Sequence, residues 1–580
     1  MNKIELMKKL SYILLILFVV VAAGCTKHFL DINNDPNNPQ QASLKLLLTG
    51  AEHGLAYDMG FTNDARGARG LTEVLSVYVH QVVVRESQDQ YGATGSQFDI
   101  NGAWTGFYSS AVAANGPDYI GTMENVEVLI RQATAGNNTI YAGIGKLLKA
   151  YGYSQYVDAF ADVPFSQANQ FATNGVRYPV FDKGATIYPK LLALIDEAIG
   201  NLQNTSGNDL IPSTDDVFYS GDVAAWIRMA KSLKLKLYNQ IRLVQDVSGP
   251  VNQLVSAGGL IGSTDQGFMM RYGSLASPDD RNPGFSEYYA TQKSHYMSPW
   301  FYEIMKGYNT RLFTGIRDPR IPYYFYNQNG PLGPSQQLTE YRDSAFISIY
   351  FGSTGTNRNG SQDNSMTVFG IYPVGGRYDI GDSTTVTASS GTGAAPLRLI
   401  SYADILFIEA ELMNAGIIAG DARQKLSDAI DESFRQVDFV VGLAKGNQSV
   451  PAIFGGPSTD YRNKILVAYD AQTTPAGRLE VIITQKWIQA FGFSGDLYSD
   501  YRRTGFPILF NPNDPTMAPG GFVQPPIFGN PTLPPPQAKV PVALGRKYPL
   551  SLPWPVVEMQ VNPNAPPQKQ PDITPPFWRP

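Results

Sequence analysis

The sequence predicts a mainly α-helical protein that carries long loop insertions. Apolar residues recur at the three- and four-residue spacing of one helix face in segments spread over most of the chain. Between two groups of such segments, residues 248–395 are rich in Gly, Ser, Asn, Pro and Tyr and have few long apolar runs. The chain ends in a proline-rich segment, residues 507–580, which cannot form a long helix.

The N-terminus has the pattern of a secretion signal. Lysines precede an apolar run from Leu10 to Ala23, which is shorter than the roughly 20 residues of a membrane-spanning helix. Small residues then lead to Cys25, the only cysteine of the chain. A lone cysteine directly after such a site is typical of a bacterial lipoprotein, so we expect residues 1–24 to be removed and Cys25 to be lipidated. The alternative is a free or buried thiol in an uncleaved leader.

Residues 25–45 are expected to form a lipidated tether. They include an Asn- and Pro-rich stretch at 31–39, which favours turns and extended backbone. The acidic spacing of this stretch is also similar to that of a calcium-binding loop. However, Pro36 and Ala42 occupy the positions at which an EF-hand needs Gly and Glu, so turn chemistry is the preferred interpretation.

From residue 46 to 580 we expect a single domain in which each helix buries one face. In the clearest segment Ile187, Leu191 and Ile195 fall on one stripe, while Lys190 lies away from it. The predicted helical segments are 44–57, 71–84, 104–115, 142–160, 187–202, 223–244, 397–413, 422–437 and 479–491.

The two segments without helical periodicity have different expected roles. Insertions longer than an ordinary connection usually carry function, so residues 248–395 are expected to hold the ligand-binding loops. Residues 507–580 contain about half of all the prolines, together with Trp554 and Trp578 as large groups that can dock. We therefore expect this last segment to wrap on the helical body rather than to be disordered.

The composition favours a partner that is neutral and rich in hydroxyl or amide groups. Charged residues make up 16% of the chain, below the roughly 25% of ordinary soluble proteins, while aromatic residues reach 12%. The net charge of -5 argues against a nucleic-acid partner, because affinity for nucleic acid comes mainly from clustered Lys and Arg.

Most enzyme motifs are missing from the sequence. One cysteine and four dispersed histidines give no zinc motif, and there is no Gly-x-Ser-x-Gly elbow. Two acid pairs on predicted helices remain as candidates, Asp158 with Asp162 and Asp404 with Glu411. Acids on one helix face the same way, whereas a glycosidase places its two acids on opposing walls of a cleft. We therefore expect helix caps or ion pairs, with no catalytic residue, metal or cofactor.

Aromatic side chains in the loop-rich segments are the candidates for ligand binding. A flat ring stacks on the apolar face of a sugar or on a peptide plane, which contributes about 0.5 to 1.5 kcal/mol beyond area burial. For any single ring core packing is the simpler role, but several such rings in polar, Gly-rich segments favour a binding surface. The predicted ligand-binding residues are Tyr91, Phe98, Tyr296, Trp300, Tyr323 and Tyr324.

Several motifs in a fixed order resemble the SusD/RagB family of nutrient-binding outer-membrane lipoproteins over nearly the whole mature chain. Ala161 departs from the family pattern, which has Gly at this position of its D-x-F-G-D turn. The form of the QKW motif and the Asn-rich tether are most similar to the branch called SusD-like 2. The motifs are NNDPN at 33–37, GKLLKA at 145–150, DAFADVPF at 158–165, DVAAW at 222–226, the helix at 398–411, QKW at 485–487, DYRRTGFP at 500–507 and RKYPL at 546–550.

The resemblance implies a fold of tetratricopeptide-like helical pairs with long loop insertions and a few short strands. It also implies a surface-exposed lipoprotein of the outer membrane that binds an oligosaccharide and, as a lid, delivers it to a SusC-like TonB-dependent transporter. The alternatives are a peptide-binding member of the family, a surface glycoside hydrolase, and a helical scaffold that binds only protein. Because the family motifs are mainly scaffold, the resemblance assigns no binding residue.

Overall fold

The computed structural model describes most of the chain from residue 42 onward. Apart from residue 5, the predicted signal peptide, Cys25 and most of the predicted tether lie outside the described residues. The described residues are 5, 42–61, 70–84, 89–92, 98–108, 121–204, 206–290, 293, 295–330, 340–356, 364–524 and 538–580, apart from the side chains of residues 98 and 99.

Helices dominate the described residues, which confirms the predicted mainly α-helical class. The helices are α1 (Leu44–Met59), α2 (Leu71–Tyr78), α3 (Phe98–Tyr108), α4 (Thr122–Ala135), α5 (Thr139–Phe160), α6 (Phe171–Asn174), α7 (Gly184–Gln203), α8 (Val223–Ile241), α9 (Ser248–Ala257), α10 (Pro283–Tyr289), α11 (Pro299–Lys306), α12 (Ile321–Tyr324), α13 (Ile371–Val374), α14 (Tyr402–Asn414), α15 (Ala422–Ala444), α16 (Gly456–Asp470), α17 (Pro475–Gln489), α18 (Gly495–Thr504) and α19 (Val556–Val561). Within this described part of the chain, no helix has the length and apolar character needed to cross a membrane.

The described strands are short, and each pairs with one partner in a two-stranded antiparallel ladder. The ladders are β1–β5, β2–β3, β4–β10, β6–β9, β7–β8 and β11–β12 with strands β1 (Val82–Val84), β2 (Val163–Pro164), β3 (Phe181–Asp182), β4 (Phe268–Met270), β5 (His295–Met297), β6 (Phe325–Tyr326), β7 (Tyr341–Asp343), β8 (Phe346–Ser348), β9 (Val368–Phe369), β10 (Leu397–Ile400), β11 (Phe522–Val523) and β12 (Val540–Pro541). Six of these strands lie in the predicted insertion at 248–395, which therefore has more regular structure than its composition suggests.

The long helices form consecutive pairs that pack side by side. α4 packs on α5, α7 on α8, and α14 on α15, while contacts of α5 with α7 and of α8 with α14 join one pair to the next. The connection between α4 and α5 is only three residues long, which makes these two helices antiparallel neighbours. This row of helical pairs agrees with the scaffold that the family resemblance implies.

α5 is buried on nearly all sides. Two glycines let its neighbours approach closely. A Cβ atom on Gly143 would lie 3.0 Å from Cγ of Leu202 in α7, and one on Gly145 would lie 2.8 Å from Cγ1 of Ile130 in α4. The Gly-rich sequence at this point is therefore a site of close helix packing.

Two predicted helices are shorter than their apolar pattern indicates. α14 begins at Tyr402 rather than at residue 397, because Ser401 and Asp404 form a capping box and the residues before them form β10. α2 ends at Tyr78, and His80 adopts a left-handed backbone with φ of 57° before β1 begins. The apolar residues of both segments are buried in either conformation, so their spacing alone does not separate strand from helix.

The described C-terminal residues, 538–580, pack along the helical body. The indole Nε1 of Trp554 donates to the carbonyl oxygen of Asp162 at 2.8 Å. Trp578 is completely buried, and its Nε1 donates to Oδ1 of Asp158 at 2.8 Å. Two tryptophans thus attach the C-terminal segment to the turn at the end of α5.

Asp158 makes the stability of the fold depend on pH. The Tyr188 hydroxyl donates to its Oδ1 at 2.5 Å, yet burial outweighs such donors and raises the pKa of the carboxyl to about 6. Since the unfolded-state pKa is about 3.9, the folded protein binds the extra proton, and stability falls as the pH rises from about 4 to about 6. We expect Asp158→Asn to remove this fall, so that the variant gains at most about 3 kcal/mol relative to the parent over that interval.

Urea unfolding of both proteins at four pH values between about 4 and about 7 measures this effect. The asparagine amide can still accept the two hydrogen bonds, so any loss of packing should be the same at every pH. A stability difference that stays constant over the whole range would contradict the assignment of the pKa shift to Asp158.

Candidate ligand-binding groove

The aromatic residues predicted to bind ligand lie in the core rather than on an exposed loop surface. The five that the structure describes, each at most 5% exposed, are Tyr91, Tyr296, Trp300, Tyr323 and Tyr324. The sixth, Phe98, is the first residue of α3, and its side chain lies outside the described part of the protein.

The expected exposure of these five rings is wrong because the rings pack inside the protein, where some of their hydroxyl groups also find hydrogen-bond partners. The Tyr323 hydroxyl donates to the carbonyl oxygen of Pro451 at 2.7 Å, and Tyr91 shares a 2.7 Å hydrogen bond with Nε2 of His80. The rings of Tyr324 and Tyr372 stack with 4.8 Å between centroids. Contact of any of these residues with a ligand stays a prediction, and the site described below is formed by other side chains.

Two neighbouring cavities form a groove on the described surface. The first, of about 270 Å³, lies between α3, the loop after β2 and α19. The second, of about 400 Å³, lies between the same loop, α4 and α5. Ala168 and Asn169 line both cavities, so the two spaces adjoin. We refer to them together as the groove.

The loop between β2 and β3 supplies residues to both cavities. Its ends are held together where Val163 pairs with Asp182. The Asp182 carboxylate also accepts hydrogen bonds from the backbone N–H groups of Phe165 at 3.1 Å and Ser166 at 2.7 Å. Within the loop, α6 ends at Gly175, whose left-handed backbone with φ of 69° turns the chain out of the helix. The loop is therefore an ordered part of the groove wall.

Four aromatic side chains line the first cavity. Trp104 and Tyr108 come from α3, with 4.7 Å between ring centroids, and the Tyr108 hydroxyl donates to the carbonyl oxygen of Pro164 at 2.9 Å. Phe171 and Tyr178 come from the loop and remain 67% and 37% exposed. Because large rings are usually covered in a folded protein, exposed rings beside a cavity indicate a binding surface.

α19 forms the opposite side of the first cavity and is attached to the loop by amide side chains. Nδ2 of Asn562 donates to the carbonyl oxygen of Pro179 at 2.8 Å and to the Glu558 carboxylate at 2.9 Å. Nδ2 of Asn564 donates to the carbonyl oxygen of Tyr178 at 2.6 Å. The wall from the C-terminal segment is thus held in place by the backbone of the loop that it faces.

Exposed apolar side chains continue from the first cavity onto its rim. Val561 lines the cavity, Val557 lies one turn before it on α19, and Val180 follows the loop residues of the lining. All three are more than one third exposed. The rim and the two exposed rings together form an apolar surface next to polar groups, which is the usual character of a ligand-binding or protein-binding site.

The polar part of the first cavity consists of amides, two carboxylates and one guanidinium group. Burial, together with the nearby Tyr153, raises the pKa of Tyr108 well above its ordinary value, so its hydroxyl stays neutral. Oδ1 of Asn169 is buried and has no hydrogen-bond partner among the described residues. The polar lining residues are Glu124, Gln167, Asn169, Arg177, Glu558 and Asn562.

The acid pairs considered from the sequence have structural partners. Asp404 caps α14, and Asp162 pairs with Nζ of Lys183 at 2.7 Å. Asp158 accepts hydrogen bonds from Tyr188 and Trp578, and Glu411 accepts them from Arg242 and Arg503. Across the described ranges, no group of three or more His, Cys, Asp or Glu side chains is arranged to hold a metal ion.

Sequence reasoning did not identify Phe171 or Tyr178. Both lie in the stretch from 161 to 183 that joins two strongly periodic helices, and this stretch is long for such a connection. Its length and its aromatic residues are the signal that the sequence offers. The partners on α19 are almost 400 residues away along the chain, and no local pattern connects them to this loop.

The family comparison covers most of the chain. The model of the SusD-like 2 family, described as starch-binding and associating with the outer membrane, matches residues 36–523. No curated protein matches the sequence.

Solved structures of SusD homologues have a similar fold. One from Bacteroides fragilis NCTC 9343 is 19% identical, with a TM-score of 0.60 over 90% of this chain and 94% of its own. A SusD/RagB family protein from Bacteroides thetaiotaomicron VPI-5482 is 18% identical, with a TM-score of 0.61 over 93% of this chain and 99% of its own. A chitin-binding SusD homologue from Flavobacterium johnsoniae is 20% identical, with a TM-score of 0.55 over 80% of this chain and 87% of its own.

The match of the family model over most of the chain and the shared helical scaffold lead to the same assignment as the ordered sequence motifs. The chain belongs to the SusD/RagB family, within the SusD-like group of nutrient- or glycan-binding proteins that associate with the outer membrane.

Proposed function

We propose that this protein binds an oligosaccharide in the groove and delivers it to a SusC-like TonB-dependent transporter of the outer membrane, over which it acts as a lid. The observation that carries the proposal is the first cavity, where four aromatic rings stand beside amide side chains. Rings stack on the apolar faces of sugars, and amides and carboxylates bond their hydroxyl groups. The chitin-binding homologue from Flavobacterium johnsoniae supports a saccharide as the ligand class.

The remaining parts of the proposed role rest on the anchor expected at Cys25 and on the transporter that the family resemblance implies. A lipid chain on this residue keeps the protein at the membrane surface, since each buried methylene contributes about 0.8 kcal/mol. A tethered protein holds its ligand at a high effective concentration above the transporter, so an affinity in the micromolar to millimolar range is sufficient. The groove binds its ligand without chemical change and releases it intact.

We expect the double substitution of Phe171 and Tyr178 by alanine to weaken saccharide binding about tenfold to a hundredfold. Each ring contributes about 0.5–1.5 kcal/mol by stacking, and more through the apolar area that it covers. Isothermal titration calorimetry with maltoheptaose, chitohexaose, xylohexaose and cellohexaose measures the effect. Because both rings are exposed, the variant should unfold at the same urea concentration as the parent.

Phe454→Ala is the matched control. Phe454 is also a partly exposed phenylalanine, at 40%, but it does not line the groove. Its substitution should leave saccharide affinity unchanged. If the parent binds none of the saccharides and retains peptides instead, the peptide-binding alternative within the family replaces the proposal. Equal weakening by the control would show that the groove is not the site.

A glycoside hydrolase is the second candidate, and one observation favours it. Glu124 on α4 and Glu558 on α19 line the first cavity from different elements, unlike the acid pairs that share one helix. Opposing acids are what glycosidases use. Steady release of reducing ends from one of the oligosaccharides, abolished by Glu124→Gln or Glu558→Gln, would establish hydrolysis. Binding without release of reducing ends would leave the groove as a binding site.

A further inference from the structure

The second cavity differs from the first in the sign of its charged groups. Its lining includes Arg131, Lys149 and Glu127, whereas the first cavity includes Glu124, Glu558 and only one cation. The acids are therefore in excess at one end of the groove, and the bases at the other. A ligand that spans Ala168 and Asn169 would meet both environments.

The two cations that line the second cavity, Lys149 and Arg131, come from different helices, and Phe165 from the loop lines the cavity with them. Nζ of Lys149 on α5 lies 5.2 Å from the centroid of the Phe165 ring, and Nζ of Lys190 on α7 lies 5.8 Å from the same centroid. Lys149 also pairs with the Glu127 carboxylate. Arg131, one turn after Glu127 on α4, is exposed.

Arg131, which lines the second cavity, and Lys190, which lies near its Phe165 ring, have no ion-pair partner in the described part of the protein. The ion pairs of the described residues include Lys149 with Glu127 but none with Arg131 or Lys190. A guanidinium group binds a carboxylate or a sulfate through two parallel hydrogen bonds, which is a strong and directional contact. An anionic group in the second cavity would thus meet positive charge that the fold has not neutralised.

Asn169 provides a further contact at the boundary between the cavities. Its backbone is left-handed, with φ of 58°, and its buried Oδ1 has no donor among the described residues. A buried acceptor of this kind needs a donor, and a hydroxyl of a sugar unit that crosses from one cavity to the other can supply it. The junction is therefore suited to a neutral hydroxyl, while the charged group lies beyond it.

We infer that the groove binds an acidic saccharide, with one sugar unit stacked in the first cavity and a carboxylate or sulfate group beside Arg131 and Lys149 in the second. The inference rests on the proposed saccharide-binding function and adds the class of saccharide. Electrostatic contacts at a partly open site weaken as salt rises, so the preference for the acidic ligand is also salt-dependent.

The test compares acidic saccharides with neutral counterparts of the same length. The first pair is tetragalacturonic acid and its methyl ester, and the second is a carrageenan tetrasaccharide and its desulfated form, so that carboxylate and sulfate are distinguished. At about 50 mM salt the acidic member of at least one pair should bind about tenfold more tightly, and this advantage should shrink at about 500 mM. Equal affinity within both pairs would overturn the inference.

Variants separate this inference from the proposed function. Arg131→Gln should reduce the preference for the acidic member to less than about threefold, because it weakens binding of the acidic member more than binding of the neutral one. Lys445→Gln, which removes an exposed cation outside the groove, should leave the preference intact. Phe171→Ala should weaken acidic and neutral members alike.

The outcomes are distinguishable. If Phe171→Ala weakens binding but Arg131→Gln leaves the acidic preference unchanged, the groove is the saccharide site and the inferred class is wrong. If Phe171→Ala changes the affinity of neither member, the proposed site fails, and the inference fails with it.

Discussion

Replacing Glu411 by glutamine is expected to lower the free energy of unfolding by about 3–5 kcal/mol, the usual cost of breaking a buried ion pair from one side. Glu411 on α14 has no exposed surface and accepts hydrogen bonds from both terminal nitrogens of Arg503. It also accepts one from Nη2 of Arg242 at 2.6 Å. Glutamine keeps the shape but not the charge, so the guanidinium group of Arg242 loses its carboxylate partner and that of Arg503 keeps only Asp500. Urea unfolding followed by tryptophan fluorescence measures the loss.

Glu409→Gln is the control for this substitution. Glu409 lies on the same helix and pairs with Nζ of Lys425 at 2.8 Å, but both side chains reach solvent. Ion pairs at the surface contribute about 0–1 kcal/mol, so a loss below about 1 kcal/mol is expected. Equal losses of unfolding free energy for the two variants would contradict the stabilising role assigned to the buried contacts of Glu411 with Arg503 and Arg242.

The Glu411 network also has a pH signature of opposite sign to that of Asp158. Burial opposes ionisation of Glu411, but Arg503 and Arg242 outweigh it and hold the pKa of the carboxyl well below its usual range. A carboxyl with a lowered folded-state pKa contributes its full stability above the unfolded value of about 4.3 and loses it as the pH falls further. The stability gap between Glu411→Gln and the parent should therefore narrow below about pH 4.

Replacing Trp578 by alanine is expected to cost about 3–5 kcal/mol, the typical range for removal of a fully buried tryptophan. The indole has no exposed surface, lies 5.0 Å from the guanidinium carbon of Arg502, and donates to Asp158. The substitution leaves a cavity and removes one donor from a buried carboxylate. The measurement is the urea midpoint together with the slope of the transition, which reports the surface exposed on unfolding.

Ile573→Ala serves as the control in the same C-terminal segment. Ile573 is 63% exposed, so its truncation should change stability by less than about 0.5 kcal/mol. A loss below about 1 kcal/mol for Trp578→Ala would contradict the view that the segment is an integral part of the fold. In that case the C-terminal residues would contribute little to the stability of the helices beneath them.

The helical scaffold could be predicted from the sequence wherever each helix buries a single apolar stripe. α7 is such a case, since Ile187, Leu191 and Ile195 are completely buried and fall on one face. α18 is the opposite case and was not predicted. It buries the charged residues Asp500, Arg502 and Arg503, which pair with each other and with groups from other elements, so its sequence has no apolar stripe to detect.

The burial of the aromatic residues in the loop-rich segments could not be predicted from composition. A tyrosine can lie on a solvent-exposed surface. It can equally lie in a core where its hydroxyl donates a hydrogen bond to a backbone carbonyl. In this protein the second case holds for Tyr289, which donates to the carbonyl oxygen of Phe369, and for Tyr323. Short strands and short helices between 248 and 395 provide those carbonyl groups, and a polar, Gly-rich sequence gives little sign of them.

The groove could be predicted only in part. The DAFADVPF motif indicates the turn from which the loop starts, and the loop is longer than an ordinary connection between two helices. However, the first cavity exists only because α19 returns to this loop. The hydrogen bonds of Asn562 and Asn564 that hold α19 beside the loop go to backbone atoms at 178–179, and every sequence has such backbone atoms.

The construction of the first cavity from two distant segments has a consequence for ligand preference. Trp554 and Trp578 fasten the C-terminal segment, while α19 between them presents side chains that have no role in the helical pairs. Mutations on α19 can therefore alter one half of the site while the scaffold stays constant. If the groove binds the ligand as proposed, a few substitutions on α19 would change ligand preference without disturbing the helical scaffold.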